Sequence, residues 1–281
     1  MKEKRLRERK KMKLAAIDLD GTLLDSQGVV PQENIRALKA FSFNGGIVTI
    51  ATGRNSISAK DVFAQLGVSG YLISSNGALI SEMKDGKIDH VLRRSKIEVP
   101  ILKKAFYLAK EAKISIIASR ETQDDQITFD ETALVKDDPY YQHFNLQNHS
   151  FDEITKQLDD PSLSYLKLAL TDKNEEKLQK IQAELKKEGI DSVFSDPHFL
   201  EITPKNITKA HSLLFLTEYL GLSSEDVMAF GDQENDLAML EFSGLSVAMG
   251  NAQEHVKDLA DEVTETNDEA GVANFLNDHF L

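Results

Sequence analysis

At 281 residues, with 41% hydrophobic and 28% charged residues, the chain has the make-up of a folded globular protein with a sizeable core. A net charge of −13 argues against general nucleic-acid binding, and no apolar stretch reaches the roughly 20 residues that cross a bilayer. The absence of cysteine removes disulfides, thiol catalysis and zinc–thiolate sites together, and fits a reducing cytoplasm.

The charge is uneven along the chain. Met1 to Lys13 holds eight basic and two acidic residues, a net +6 that leaves −19 for the rest. Such an arm could touch nucleic acid or anionic lipid. The favoured reading of residues 1–12 is a disordered basic extension, or a segment ahead of a true start at Met12. It lacks the apolar middle of a secretion signal, so nothing supports export.

In chain order, Lys13–Ile17 is a short strand, and Pro31–Phe43 has helical spacing with Pro near its start. Gly46–Ile50 is a β-branched strand, Ser56–Leu66 a helix and Tyr71–Ile73 another strand. Strands alternating with helices predict parallel βαβ units with both sheet faces covered. Ala78–Ser81 and Ile88–Leu92, flanking Asp85-Gly86, predict a hairpin.

From there the rhythm changes. Helices are predicted at Pro100–Ala112 and Asn174–Glu188, and strands at Ile114–Ala118, Leu163–Leu170, Ser192–Phe194 and Phe199–Ile202. Asp124–Pro161 is polar and weakly patterned. From Asn206 the α/β alternation resumes: a helix at Ile207–Leu220, a strand at Val227–Phe230 and a helix near Glu234. A strand at Leu245–Ala248 and a helix at Glu269–His279 complete it. The predicted architecture is α/β: a Rossmann-like parallel-sheet core made of residues 13–81 and 198–281, with an α+β domain, residues 82–197, inserted into it.

Four predicted strands end in polar, glycine-containing breaks: Asp18-Leu19-Asp20-Gly21, Ala51-Thr52-Gly53-Arg54, Ser74-Ser75-Asn76-Gly77 and Gly231-Asp232-Gln233-Glu234-Asn235-Asp236. Ligands of open parallel sheets bind outside the carboxyl ends of the strands, so these breaks should gather at one edge. Asp18, Asp20, Asp232 and Asp236 would then crowd negative charge, costly unless a cation offsets it or some of the groups stay protonated, and oxygen ligands favour Mg²⁺. Thr52 offers a hydroxyl, the turn at Gly53 offers backbone N–H groups, and Lys209 offers positive charge. Carboxylate nucleophile, Mg²⁺, hydroxyl and lysine together suit phosphoryl transfer. No P-loop motif G-x-x-x-x-G-K-[ST] occurs.

These ordered motifs resemble the haloacid dehalogenase superfamily of phosphatases, and within it the Cof-like group with a large α/β cap of type C2B. Ala248-Met249-Gly250-Asn251-Ala252 and Asp268-Glu269-Ala270-Gly271-Val272-Ala273 extend the likeness. The resemblance implies roles by position. Asp18 would attack phosphorus and form an aspartyl-phosphate, and Asp20 would serve as general acid and then general base. Mg²⁺ would be held by the Asp18 carboxylate, the Asp20 backbone carbonyl and Asp232. Thr52, the Gly53 amide, Lys209 and Asn235 would hold the phosphoryl group, and Asp236 would orient Lys209 or a metal-bound water. The substrate would be a small phosphorylated metabolite, a sugar phosphate or a phosphorylated cofactor, met by a cytoplasmic monomer or homodimer.

The chain departs from the family pattern at Asn206, where glycine is usual, and at Ala210. Asn206 can still cap the following helix or adopt the left-handed conformation. Plainer readings stand beside the sharp ones: Thr52 as a helix cap, Lys209 as a solvated helix lysine, Asp236 as a structural acid, Asn76 as a turn former. An aromatic cluster at Tyr140, Tyr141, His143 and Phe144 could contact substrate, with core packing favoured for at least two of them. Two other activities share most of these residues: a phosphomutase or phosphotransferase on the same scaffold, and an aspartyl-phosphate signalling module.

Overall fold

The computed structural model describes residues 12–128 and 146–281. These form two compact units. The first comprises the described residues up to Arg54, with Ala59–Arg93 and Thr208–Leu281; the second comprises Asn55–Ser58 and the described residues of Arg94–Ile207.

The first unit is built on an eight-stranded sheet. Its strands are β1 Leu14–Ile17, β2 Ile47–Ala51, β3 Gly70–Ser74, β4 Leu79–Lys84, β5 Lys87–Arg94, β12 Val227–Gly231, β13 Leu245–Ala248 and β14 Glu262–Val263, in the order β14-β13-β12-β1-β2-β3-β4-β5. The six strands from β14 to β3 are parallel. β1 is buried along its whole length, which explains why it reads as a continuous apolar run rather than an alternating one. Helix Gly271–His279 packs on helix Gln32–Phe43, and helix Lys209–Leu220 packs on helix Leu237–Phe242. Phe230 meets Phe275 edge-on at 5.6 Å between centroids, tying the central strand to the last helix.

Strand order reverses at β1. The chain steps outward through β2 and β3 on one side, and the later strands β12, β13 and β14 fill the other. The crevice at such a reversal is where ligands bind in open α/β sheets.

The predicted hairpin forms, and Asp85 and Gly86 both take positive φ, 50° and 70°, as a two-residue hairpin turn requires. The two units part at other points than the expected boundaries, 81/82 and 197/198. β4 runs antiparallel to β3 and past Ser81, and β5 continues the same sheet, so the hairpin stays with the first unit to Arg93. At the other end, Phe199–Ile202 is hydrogen-bonded to the second unit's sheet, which carries that unit to Ile207.

Among its described residues the second unit has six strands. They are β6 Ser115–Ser119, β7 Asp124–Ile127, β8 Leu146–His149, β9 Lys167–Thr171, β10 Val193–Asp196 and β11 Phe199–Ile202, in the order β10-β11-β9-β6-β7-β8. All pairings but β7–β8 are antiparallel. Leu102, Phe106, Ile154, Leu178 and Leu185 from three helices pack with Ile116, Leu168 and Leu200 of the strands into one core. The segment expected to be weakly patterned supplies β7, β8 and helix Phe151–Gln157. Strand β7 escapes a hydropathy reading because it buries acids: Asp125 accepts from Arg120 Nε and the Tyr165 hydroxyl, each at 2.7 Å. The helix starts on a capping box between Ser150 and Glu153. The aromatic cluster Tyr140, Tyr141, His143 and Phe144 lies outside the described residues.

Among the described residues no helix is long and apolar enough to cross a membrane.

Candidate active site

Each of the four polar breaks leaves the carboxyl end of a strand, and those strands, β12, β1, β2 and β3, are adjacent. After β1 the chain makes a wide turn: Leu23 N–H donates to Asp18 C=O at 3.2 Å and Leu24 N–H to Leu19 C=O at 2.9 Å. Gly21 sits in it at φ +78°, and a Cβ there would lie 2.4 Å from Asp232 Oδ2. Only glycine meets both demands. Outside the turn, Asn34 donates to Leu23 C=O, Asn267 to Leu24 C=O and Asn251 to Gly21 C=O, at 2.8–3.1 Å.

The centre is a buried charge cluster. Asp18, Asp232 and Asp236 are 6%, 4% and 0% exposed, and one carboxylate oxygen from each lies within 4.8 Å of the others. Lys209, 1% exposed, bridges two of them: its Nζ donates to Asp18 Oδ1 at 2.6 Å and to Asp236 Oδ1 at 2.7 Å. Asp236 Oδ2 also accepts from the backbone N–H groups of Asp232 and Gln233, at 3.0 and 3.2 Å. Asp232 Oδ1 accepts from the Thr22 hydroxyl at 2.9 Å. Three carboxylates and one ammonium leave an excess of negative charge in a dry place.

The titration behaviour follows from that excess. Burial pushes the Asp18 carboxyl well above its usual range; Lys209 opposes this, and Asp236, Asp232 and Asp20 add to it. Asp232 is pushed up to about 7, by burial and then Asp236, against the Thr22 hydrogen bond and Lys209. Burial acts to lower Lys209, but Asp18 and Asp236 outweigh it and hold the ammonium above its ordinary value.

A pH dependence of stability comes from this cluster. Between the ordinary carboxyl value of 3.8 and about 7, the folded chain binds protons at Asp232 that the unfolded chain has already released. Stability therefore falls as pH rises through that window. Thermal melts of the metal-free protein should show a higher Tm at pH 5 than at pH 8. A Tm that stays flat or rises over that interval would mean the acids are not held as described. The donor set, all oxygen and carboxylate-rich, suits a hard divalent cation.

The remaining expected site residues sit around this centre. The Asp20 carboxylate takes a two-pronged pair from Arg54: Nε to Oδ2 at 2.9 Å and Nη2 to Oδ1 at 2.5 Å. Thr52 continues β2 through a backbone bond to Ile73 C=O, and its hydroxyl accepts from Arg54 N–H at 3.1 Å. Thr52 is not the cap of the next helix, since Asn55 takes that role by accepting from Ser58 N–H at 3.0 Å. Gly53 lies in the turn between them. Asn235 Nδ2 donates to Asn76 Oδ1 at 3.4 Å. Asn206 takes the left-handed conformation, φ 60°, and Thr208 caps the helix that begins at Lys209.

The structure thus joins Asp18, Lys209, Asp232 and Asp236 directly, and places Asp20, Thr52, Gly53 and Asn235 on the neighbouring turns. Thr22, Arg54 and Asn251 were not among the expected site residues. Thr22 and Arg54 stand inside the motifs that were noted, so their place in the strand-end breaks was the available signal. Asn251 also stands in a stretch noted for the likeness, but nothing local pointed it at the Gly21 carbonyl, 230 residues away.

A parallel sheet with an acid–lysine cluster at its strand-order reversal defines a class of α/β enzymes, and the family follows from comparison. A family model described as haloacid dehalogenase-like hydrolase matches residues 15–276, so the chain belongs to the haloacid dehalogenase-like hydrolases. Among curated relatives, it is 31% identical to the 5-amino-6-(5-phospho-D-ribitylamino)uracil phosphatase YcsE of Bacillus subtilis over 270 residues, covering 96% of each chain. It is 32% identical to the phosphatase YwpJ of the same organism, covering 94% of this chain and 99% of the relative. A solved haloacid dehalogenase-like hydrolase from B. subtilis superposes with a TM-score of 0.84 at 28% identity, over 96% of this chain and 100% of the other.

Proposed function

We propose that this hydrolase is a Mg²⁺-dependent phosphatase that cleaves small phosphorylated metabolites, sugar phosphates or phosphorylated cofactors, through an aspartyl-phosphate on Asp18. The observation that carries the reading is the Lys209 ammonium bridging Asp18 and Asp236 inside a buried carboxylate cluster. The division into a core and an inserted cap domain belongs to the same reading.

A carboxylate oxygen of Asp18 attacks phosphorus, the bond from phosphorus to the leaving oxygen breaks, and Asp20 gives its proton to that oxygen. Asp20 then takes a proton from the water that attacks the aspartyl-phosphate, and the bond from phosphorus to Asp18 breaks. Inorganic phosphate leaves, and both acids return to their starting states. Since Asp20 is paired with Arg54, its proton-transfer role requires that pair to open as substrate arrives. Lys209, Thr52, the Gly53 amide and Asn235 bind the phosphoryl oxygens, while Asp236 holds Lys209 in line. The Asp18 and Asp232 carboxylates and the Asp20 carbonyl would hold Mg²⁺, which would supply positive charge against the carboxylates and the transferring group.

An assay on p-nitrophenyl phosphate, with Mg²⁺ and with a chelator, tests this. Turnover should need the metal and return when Mg²⁺ is restored; full activity in the chelator would overturn the reading. A panel of phosphorylated metabolites ranked by kcat/KM then narrows the substrate. Supplying a sugar bisphosphate and looking for isomerised product separates hydrolysis from phosphoryl transfer to a sugar hydroxyl.

A further inference from the structure

The turn after β3 is strained, and it touches several parts of the site at once. Ser75, Asn76 and Gly77 follow one another at φ 51°, 53° and 106°, all in the left-handed region that non-glycine residues rarely enter. Ser75 N–H donates to Arg54 C=O at 2.8 Å, and Asn76 N–H donates to Thr52 C=O at 3.0 Å. The Ser212 hydroxyl donates to Gly77 C=O at 2.6 Å. A Cβ on Gly77 would lie 2.4 Å from the carbonyl oxygen of Thr208, the cap of the helix carrying Lys209. The turn is therefore wedged between the Thr52–Arg54 stretch and the start of that helix.

Glycine at position 76 would accept this backbone with less strain. Asparagine brings something glycine cannot: a buried side chain whose Oδ1 accepts from Asn235 Nδ2. We propose that Asn76 is a positioning residue of the phosphate site, its main-chain N–H fixing Thr52 and its carboxamide aiming Asn235 at the bound phosphoryl group. The inference rests on the reading of Thr52 and Asn235 as phosphate-binding residues. The contact is 3.4 Å long, at the weak end for an N–H···O bond, so its loss should cost severalfold rather than a thousandfold.

The test is a double-mutant cycle on Asn76→Gly and Asn235→Ala, read by calorimetric binding of inorganic phosphate in the presence of Mg²⁺ and by KM and kcat. Asn76→Gly keeps the left-handed backbone, so its Tm should match that of the wild type. Its phosphate Kd and its KM should both rise by about 3- to 10-fold, the worth of one hydrogen bond. Asn235→Ala should show a similar rise, and the double variant should be no worse than the weaker-binding single one. Unchanged phosphate binding in Asn76→Gly overturns the proposal, as do additive effects in the double variant. So does a lowered Tm with phosphate affinity intact, which marks a purely structural role. If the wild type turns over phosphate esters and only these results fail, the positioning role falls while the phosphatase reading stands. A wild type that neither binds phosphate nor turns over phosphate esters overturns both.

Discussion

Asp18→Asn is expected to abolish turnover while making the metal-free protein more stable. Activity should fall by at least about 10⁴-fold, the scale seen when a covalent nucleophile is removed and only positioning remains. The carboxamide keeps an oxygen to accept from Lys209 Nζ, which now stands 2.6 Å from Oδ1, so the local geometry has no reason to collapse. What changes is charge. Burial and three neighbouring acids hold the Asp18 carboxyl far above its usual range, so its ionised form opposes folding at neutral pH. A neutral isostere removes that opposition. Melts at pH 8 without metal should therefore show a raised Tm, with a shallower decline between pH 5 and pH 8 than in the wild type. Substantial phosphatase activity in Asp18→Asn would remove Asp18 from the nucleophile's role. A lowered Tm would show that the cluster does not carry the charge excess described.

Lys209→Met should lower both activity and stability. The ammonium is fully enclosed and is shared by Asp18 and Asp236, so its loss leaves two buried carboxylates without their common partner. Breaking a buried pair by removing one side costs about 3–5 kcal/mol. The loss should be greatest near pH 8 and smaller near pH 5, where protonation relieves the stranded acids. On activity, removal of one preorganised donor from a developing charge costs about 10²- to 10³-fold, so kcat/KM should fall by that amount. Methionine roughly matches the length of the lysine stem, which keeps packing loss from dominating the result. A variant with wild-type Tm and kcat/KM would return Lys209 to the plain reading of a solvated helix lysine.

These two residues also mark how far the sequence could be read. Asp18 was legible because a strand, a two-acid break and Gly21 stand together in the nine residues from Lys13 to Gly21, and because three other strands end in similar breaks. Lys209 was legible only through its place in an ordered set of motifs. Nothing local says that it is buried; that comes from Asp18, 191 positions away, and from Asp236. Asn206 shows the same limit from the other side. Of the two conformational roles open to it, the structure selects the left-handed one and leaves capping to Thr208. The second unit was the less legible half, because β7 buries Asp124 and Asp125 in strand positions where hydropathy expects apolar residues. Their partners, Asn55 for Asp124 and Arg120 and Tyr165 for Asp125, make that burial tolerable, and no window of sequence contains them all.

By itself the sequence determined the parallel α/β alternation, the four polar strand ends, the hairpin at Asp85-Gly86 and the family. All of these rest on local signals: apolar runs, turn residues with their own φ preferences, and motifs read in order. The tertiary structure decided what those groups do to one another. It set Lys209 between Asp18 and Asp236, turned Asp20 onto Arg54, gave Asp232 the Thr22 hydroxyl, and kept the hairpin with the parallel sheet. Electrostatics inside a protein depends on distance and burial, and both are fixed only when strands far apart in the chain lie side by side.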